Sequence, residues 1–226
     1  MNHFEIIIPV YKCQKYLNKC IESIERQDYP KELINVTVID DNSEPKLNII
    51  KTNLDIDLIQ NNERMYAGYN RYLKYTKCND NDLIVFLDGD DWFVDNKCLK
   101  IINDTYKYNK IHWSISNHKI YKDNKIKVIP SFINLPLELN KPKICHLRCG
   151  YGYVWNTMNE SYLDVDKNYI RWMSDWNENL YAIKNYGQPF KINCSLVVYN
   201  LDTTKTKKEN NNYNEMIQWF QKTYLK

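Results

Sequence analysis

Leu83-Ile84-Val85-Phe86-Leu87-Asp88-Gly89-Asp90-Asp91-Trp92-Phe93 is the stretch whose reading decides the fold. Five apolar residues run without a break into three acids and a glycine. An apolar run of this length predicts a strand buried on both faces, as in a parallel sheet. Its carboxyl end then delivers Asp88, Asp90 and Asp91 to one point, and open α/β sheets place their ligand sites at that edge. Three crowded carboxylates repel one another unless a cation or a proton offsets their charge. Hard divalent cations take oxygen ligands and often share them with a phosphate. The stretch points to a metal–diphosphate site; the plainer alternative is a strand followed by an acidic turn.

Upstream, the chain alternates between strand and helix patterns. Phe4 to Val10 predicts a first buried strand closed by Pro9, which has no N–H to give to a ladder. Gln14 to Gln27 carries Leu17, Cys20, Ile21 and Ile24 at helical spacing, and Tyr29-Pro30 closes that helix. Ile34 to Ile39 predicts a second strand, which hands Asp40-Asp41-Asn42-Ser43 to a loop. A helix and a short strand, Ile56 to Ile59, are expected next, then a helix from Gly68 to Thr76. This order predicts a parallel sheet with right-handed crossovers and two acid-tipped strand ends over one pocket.

Downstream the pattern changes. Asn96 to Tyr108 predicts a helix, Ile111 to Ile115 a half-exposed strand, and Tyr121 to Val128 a hairpin with Asp123-Asn124 at its tip. Three prolines between Pro130 and Pro142 predict a loop. Ser174 to Tyr186 predicts a helix stopped by Gly187, and Phe190 to Leu201 holds strand-like runs. Lys205 to Asn212 is polar. Tyr213 to Tyr224 predicts an amphipathic helix that docks on its own domain or on a second chain as a homo-oligomer contact. Tyr151, Tyr153 and Trp155 read either as core or as a stacking platform for a ligand. His146 reads as a surface or structural residue.

Composition narrows the function classes. The 226 residues are 43% hydrophobic and 14% aromatic, enough for a sizeable core. The net charge of +3 offers no basic field, so nucleic acid is not an expected partner. Seven cysteines with no CxxC pair suit reduced thiols in a reducing compartment rather than a disulfide framework. Cys145-His146 and Cys149 lack a second pair at zinc spacing. The N-terminus has no signal-peptide pattern, and no apolar run approaches the ~20 residues that span a bilayer. A soluble, cytoplasmic protein is expected.

Four ordered stretches carry a resemblance to family 2 glycosyltransferases of the GT-A fold. Ile8-Pro9-Val10-Tyr11 resembles that family's opening strand and turn. Gln27-Asp28-Tyr29-Pro30 with Val36-Thr37-Val38-Ile39-Asp40-Asp41-Asn42-Ser43 resembles its helix end and DDxS strand. Phe86-Leu87-Asp88-Gly89-Asp90-Asp91 resembles its DxD metal motif, and Met173-Ser174-Asp175-Trp176 its later ED-W motif. The set spans roughly residues 4 to 202.

The resemblance implies an α/β fold: a GT-A type, Rossmann-like, mostly parallel sheet flanked by helices, with a mixed acceptor-side half and a C-terminal helix. Residues 1–204 form one domain, divided into a nucleotide half (1–93) and an acceptor half (94–204), followed by a tail at 205–226. It implies a metal-dependent, inverting hexosyltransferase of glycan biosynthesis, using a UDP-sugar and an acceptor hydroxyl on a glycan or glycoconjugate. Pro9, Val10 and Tyr11 would line the base and Asp41 would bond it. Asp88 would sit near the ribose, Asp90 would ligate Mn2+ or Mg2+, and Asp91 would ligate the metal or contact the donor sugar. Asp175 would be the general base, its ionised form favoured at a helix start. Three departures stand out. Tyr69-Asn70 replaces an arginine-asparagine pair, with Arg64 and Arg71 nearby to meet the diphosphate. Ser174 replaces a glutamate. Asn200 and Asp202 replace an arginine-x-histidine, leaving Asp202 as a candidate metal ligand. Lys205–Lys208 could close over the diphosphate. Two alternatives remain: a non-catalytic domain that binds a nucleotide sugar or glycan, and a sugar nucleotidylyltransferase, which the absence of a glycine-rich basic loop after Val10 disfavours.

Overall fold

The computed structural model describes residues 1–127, 135–139, 147–165, 168–169, 174–203, 218 and 221–222. In chain order the described elements are β1 (Phe4–Val10), α1 (Gln14–Glu25), β2 (Ile34–Asp40), β3 (Asp55–Gln60), α2 (Tyr66–Tyr75), β4 (Leu83–Phe86), β5 (Trp92–Phe93) and α3 (Cys98–Tyr108). They continue with β6 (Trp113–Lys122), β7 (Lys125–Lys127), β8 (Arg148–Tyr151), α4 (Gly152–Trp155), β9 (Asp164–Val165), β10 (Asn168–Tyr169), α5 (Ser174–Tyr186) and β11 (Phe190–Asn200). One sheet runs in the order β3-β2-β1-β4-β8-β6-β11-β5, with β7 paired to β6.

The first four strands are parallel, with Ile6 opposite both Val36 and Val85. Every residue of β1 and β4 is buried, as the unbroken apolar runs require. Side-chain alternation sorts these strands into two layers. Phe4, Ile6, Ile8 and Val10 face a core shared with Leu17, Ile21 and Ile24 of α1 and Leu99, Ile102 and Tyr106 of α3. Ile7, Ile84 and Phe86 face the opposite layer with Tyr75, Val154, Trp155, Tyr181 and Ile183. β8 then enters antiparallel against β4, and the sheet becomes mixed.

Two expectations about elements change. No helix connects β2 to β3. The crossover is irregular, with Leu47 and Leu54 buried beneath it. The Gln14 side chain holds this loop at the backbone of Asn48, accepting its N–H at 2.7 Å and donating to its carbonyl at 2.8 Å. A side-chain amide thus supplies the hydrogen bonds that a helix would have made internally. The strand expected at 111–115 and the hairpin at 121–128 are continuous: β6 runs unbroken into the turn at Asp123-Asn124, where both residues have positive φ. The lysine run at 205–208, His146, Trp172 and most of the C-terminal helix expected at 213–224 lie outside the described residues.

Candidate active site

The carboxyl edge of the parallel strands gathers three loops. Val10 ends β1, and its carbonyl accepts the Asp41 N–H at 2.8 Å, joining the loops after β1 and β2. Beyond β4 the chain still follows β1: Leu87 N–H donates to Ile7 at 3.2 Å and Gly89 N–H to Pro9 at 3.3 Å. A Cβ on Gly89 would stand 2.7 Å from the Val10 side chain, so only glycine lets the acid loop lie this close to the end of β1.

Asp41 is buried and crowded by donors. Its carboxylate accepts the N–H groups of Met65 (2.7 Å) and Tyr66 (3.2 Å) at the start of α2 and the Asn70 side-chain amide (3.0 Å). Longer contacts come from Asn61 and from Arg64 Nε, both at 3.4 Å. The Arg64 guanidinium lies 3.6 Å from the centroid of the Tyr11 ring and covers one face of it. Asp40 has the capping role: Oδ1 accepts the Ser43 N–H at 2.9 Å.

The acids after β4 occupy three environments. Asp88 is partly exposed and stands 3.8 Å from Arg71 Nη1. Asp90 accepts the Thr203 hydroxyl. Asp91 is fully buried; Oδ1 accepts the Asn200 N–H at 2.8 Å, tying the loop to the end of β11, while Oδ2 has no hydrogen-bond partner among the described residues. Burial, then Asp90 and Asp88, pushes the Asp91 carboxyl well above its ordinary range. Trp92 and Phe93 continue directly into β5, which pairs with Val198 and Val197. Trp92 is core beside this loop, with Lys19 Nζ 3.5 Å from its ring centroid.

Asp175 lies in the first turn of α5 and is half-buried. The approach of α5 to α2 depends on Gly68, where a Cβ would stand 2.2 Å from the Ser174 Cβ. Trp176 is core. Asp202 is exposed and engages the hairpin: its carboxylate accepts the Asp123 N–H at 2.9 Å and the Asn124 N–H at 3.5 Å.

A buried ionic cluster beneath these acids escaped the sequence reading. Arg71 grips Glu178 with two bonds, Nε to Oε1 at 3.1 Å and Nη2 to Oε2 at 3.0 Å, and Nη2 also reaches Ser174 Oγ at 3.2 Å. Arg148 joins from β8, Nη1 to Glu178 Oε2 at 2.7 Å. Burial pushes the Arg71 pKa down, but Glu178, Asp88 and Asp175 more than offset it and hold it above the ordinary value. The available signal was an acid four residues after Ser174, on the same helix face.

The aromatic residues sort differently. Trp155 is fully buried, edge-on to Phe86 and Trp113. Tyr151 pairs with Leu83, the first residue of β4, whereas Asp88 follows its last. Tyr151 and Tyr153 stack on each other beside Tyr186. This cluster lies at the amino edge of the sheet, about 15 Å from the acid loop at ~3.3 Å per residue. Of the two readings open for these residues, Trp155 is core, whereas Tyr151 and Tyr153 are half-buried and pack ring to ring at the far edge from the acid loop.

The residues present fit a divalent cation of one particular kind. Among the described residues no three acid, histidine or thiol side chains form a ready-made cage. Oxygen donors are nonetheless concentrated at Asp88, Asp90 and Asp91, one with a buried oxygen lacking any partner. Mg2+-like ions are typically bound by one or two carboxylates with substrate phosphates completing the shell.

A profile of glycosyl transferase family 2 matches residues 5–160 and so takes in β1, the Asp41 loop and the acid loop. The chain belongs to glycosyl transferase family 2. Among curated relatives, the poly(ribitol-phosphate) beta-N-acetylglucosaminyltransferase TarS of Staphylococcus aureus is 28% identical over 106 residues, 44% of this chain and 18% of TarS. A dolichyl N-acetyl-alpha-D-glucosaminyl phosphate 3-beta-D-2,3-diacetamido-2,3-dideoxy-beta-D-glucuronosyltransferase of Methanococcus voltae is 44% identical over 52 residues, 23% of this chain and 16% of the relative. The matches thus span less than a fifth of either relative. The structure of TarS residues 1–349 with UDP-GlcNAc superposes with a TM-score of 0.66 at 15% identity, over 96% of this chain and 66% of that one. The mannosyltransferase PcManGT of Pyrobaculum calidifontis, solved with GDP-Man and Mn2+, superposes at 0.59 and 15% identity, over 90% and 58%. The fold is therefore the GT-A fold of family 2. Asn70 bonds Asp41, while Arg71 points its charge at α5 rather than at solvent.

Proposed function

We propose that this chain transfers a sugar from a UDP-sugar to a hydroxyl of a glycan or glycoconjugate, with inversion at the anomeric carbon. The observation that carries the reading is the meeting of two acid sets at one edge. Asp88, Asp90 and Asp91 lie at the end of β4 and Asp175 in the first turn of α5, and Arg71 links the two: Nη1 stands 3.8 Å from Asp88, and Nη2 donates at 3.2 Å to Ser174, the residue before Asp175. Tyr11, with Pro9 and Val10, forms the base wall. A carboxylate offers about four lone-pair sites, and Asp41 already has five donors, so a base N–H bonds it by displacing one of the two long contacts, Arg64 or Asn61. Arg64, once displaced, is the cation that meets the diphosphate, because Arg71 is buried and engaged. Asp88 faces the ribose.

Asp90 would hold the divalent cation, with Asp91 behind it, whereas Asp202 serves the hairpin. The bound ion supplies charge neutralisation on the diphosphate leaving group. Asp175 takes the proton from the acceptor hydroxyl as that oxygen attacks the anomeric carbon, and the bond to the diphosphate breaks with its electron pair on UDP. The UDP assignment draws on TarS, whose solved complexes hold UDP and UDP-GlcNAc. The six described cysteines are all free, which supports a reducing, cytoplasmic setting, and no described helix is long and apolar enough to cross a membrane.

The test is nucleotide release from a panel of UDP- and GDP-sugars with Mn2+, Mg2+ or chelator. UDP-GlcNAc with Mn2+ or Mg2+ should give release, the chelator should abolish it, and Asp175→Asn should lower turnover by about 10²–10⁴-fold without weakening nucleotide binding. Full turnover in Asp175→Asn would remove the base from this assignment. Nucleotide binding without turnover in the wild type would favour a binding domain.

A further inference from the structure

We propose that Arg71, clamped by Glu178, which Arg148 also holds, is a positioning residue that fixes the general-base helix α5 relative to the donor loop after β4. The proposal rests on the transferase reading above. Three elements meet at this cluster: α2 supplies Arg71, α5 supplies Glu178 and β8 supplies Arg148. Glu178 is fully buried, and both guanidinium groups lie over the Phe86 ring at the end of β4, at 5.7 Å and 4.8 Å from its centroid.

The geometry of the Arg71 fork explains the assignment. One edge of its guanidinium makes the two-pronged bond to Glu178 on α5. Nη1 turns to Asp88, the first acid of the donor loop, at 3.8 Å. Nη2 also holds Ser174 Oγ, the residue immediately before Asp175. A single planar group therefore touches the residue preceding the base, the acid one turn beyond it and the acid on the donor side. Such a fork has fixed angles, so it transmits position as well as charge.

Ser174 and Glu178 are four residues apart and meet the same guanidinium, so they share one face of α5. Ser174 lies against Gly68 with no room for a Cβ on α2 at that point. The carboxylate that fixes α5 to α2 stands one turn further along, at Glu178. This gives Ser174 a physical account: it permits close approach, and Glu178 provides the charge. The cluster also contains two guanidinium groups against one buried carboxylate, and its surplus positive charge is turned toward Asp88.

A structural role and a positioning role make different predictions. Removing one partner leaves a buried charge unpaired and destabilises the domain, whereas replacing the whole cluster by apolar side chains of similar volume is often neutral or stabilising. The experiment compares wild type, Glu178→Gln and the triple variant Arg71→Met/Glu178→Leu/Arg148→Met. It measures Tm, UDP affinity, and kcat and KM for UDP release from UDP-GlcNAc by water. Glu178→Gln should melt lower and turn over more slowly. The triple variant should regain a Tm near wild type and bind UDP within about twofold, yet its kcat should remain about 10²-fold down with KM little changed, the scale of a ~1 Å misplacement. Recovery of kcat together with Tm would show that the cluster only holds the fold, and would overturn the proposal. A triple variant that fails to fold would likewise overturn it, because the cluster would then be indispensable to the fold. A wild-type protein that binds UDP but releases none from the sugar nucleotide would instead overturn the transferase reading, and the positioning role with it.

Discussion

Two strands of the same sheet end in acids, and the two ends are built in opposite ways. After β2, Asp41 has more donors than lone pairs: two backbone N–H groups, two side-chain amides and a guanidinium. After β4, three acids lie within four residues and each carboxylate has few donors among the described residues: Asp91 accepts one N–H, from Asn200, and Asp90 the Thr203 hydroxyl. The first arrangement satisfies its charge from within the protein and thereby fixes the N-terminus of α2. The second crowds like charges, with Arg71 Nη1 facing Asp88 at 3.8 Å and the Thr203 hydroxyl donating to Asp90. Identical side chains at equivalent strand ends thus divide into a donor-saturated carboxylate and a cluster of crowded ones.

The largest expected effect comes from removing the candidate metal acid. Asp90→Ala should lower turnover by about 10²–10³-fold, the scale seen when a group stabilising transition-state charge is lost. Its Tm should be unchanged or higher, because like charges are relieved. A metal titration followed by thermal shift would check this, since the wild type should be stabilised by Mn2+ with UDP and the variant should not.

Asp41→Ala should show the reverse balance. It should destabilise the domain by about 2–3 kcal/mol, since several buried donors lose their acceptor together. Urea unfolding would measure the loss. A stability near wild type would break the contrast between the two loops.

The smallest effect concerns Asp91. Its folded pKa is raised, so its contribution to stability is fully present below the ordinary carboxylate value. That contribution is lost as pH rises through the folded pKa. Without metal, stability should therefore decline with rising pH above about 4 through this group, and Asp91→Asn should flatten that slope. Unfolding curves at several pH values for both proteins, with chelator and then with Mn2+, would resolve it. The metal should flatten the wild-type slope in the same direction.

Much of the nucleotide half is readable along the chain. β1, β2 and β4 are continuous apolar runs, and α1 shows its buried face at Leu17, Cys20, Ile21 and Ile24. The acid-bearing strand ends are equally local features. The crossover after Ser43 was misread as a helix because its order comes from Gln14, more than thirty positions away in sequence. Tyr151, Tyr153 and Trp155 were ambiguous for a related reason: an aromatic side chain has the same periodicity whether it meets a sugar or another ring. Only the antiparallel entry of β8 sent them to the amino edge.

The sequence by itself determined the strand order of the nucleotide half, the acids at the carboxyl ends of its strands, and the family. These follow from runs of adjacent residues, where burial and side-chain alternation act over a few positions. The tertiary structure alone decided what surrounds each acid: Asp41 among five donors at the start of α2, Asp91 as a buried tie to β11, and Glu178 as the partner of two arginines. A carboxylate's role depends on which donors surround it, and here those donors come from distant segments. Arg71 and Glu178 are 107 positions apart, and Asp91 and Asn200 are 109 apart. No local pattern encodes such meetings, because the sheet brings them about only after its order and register are set.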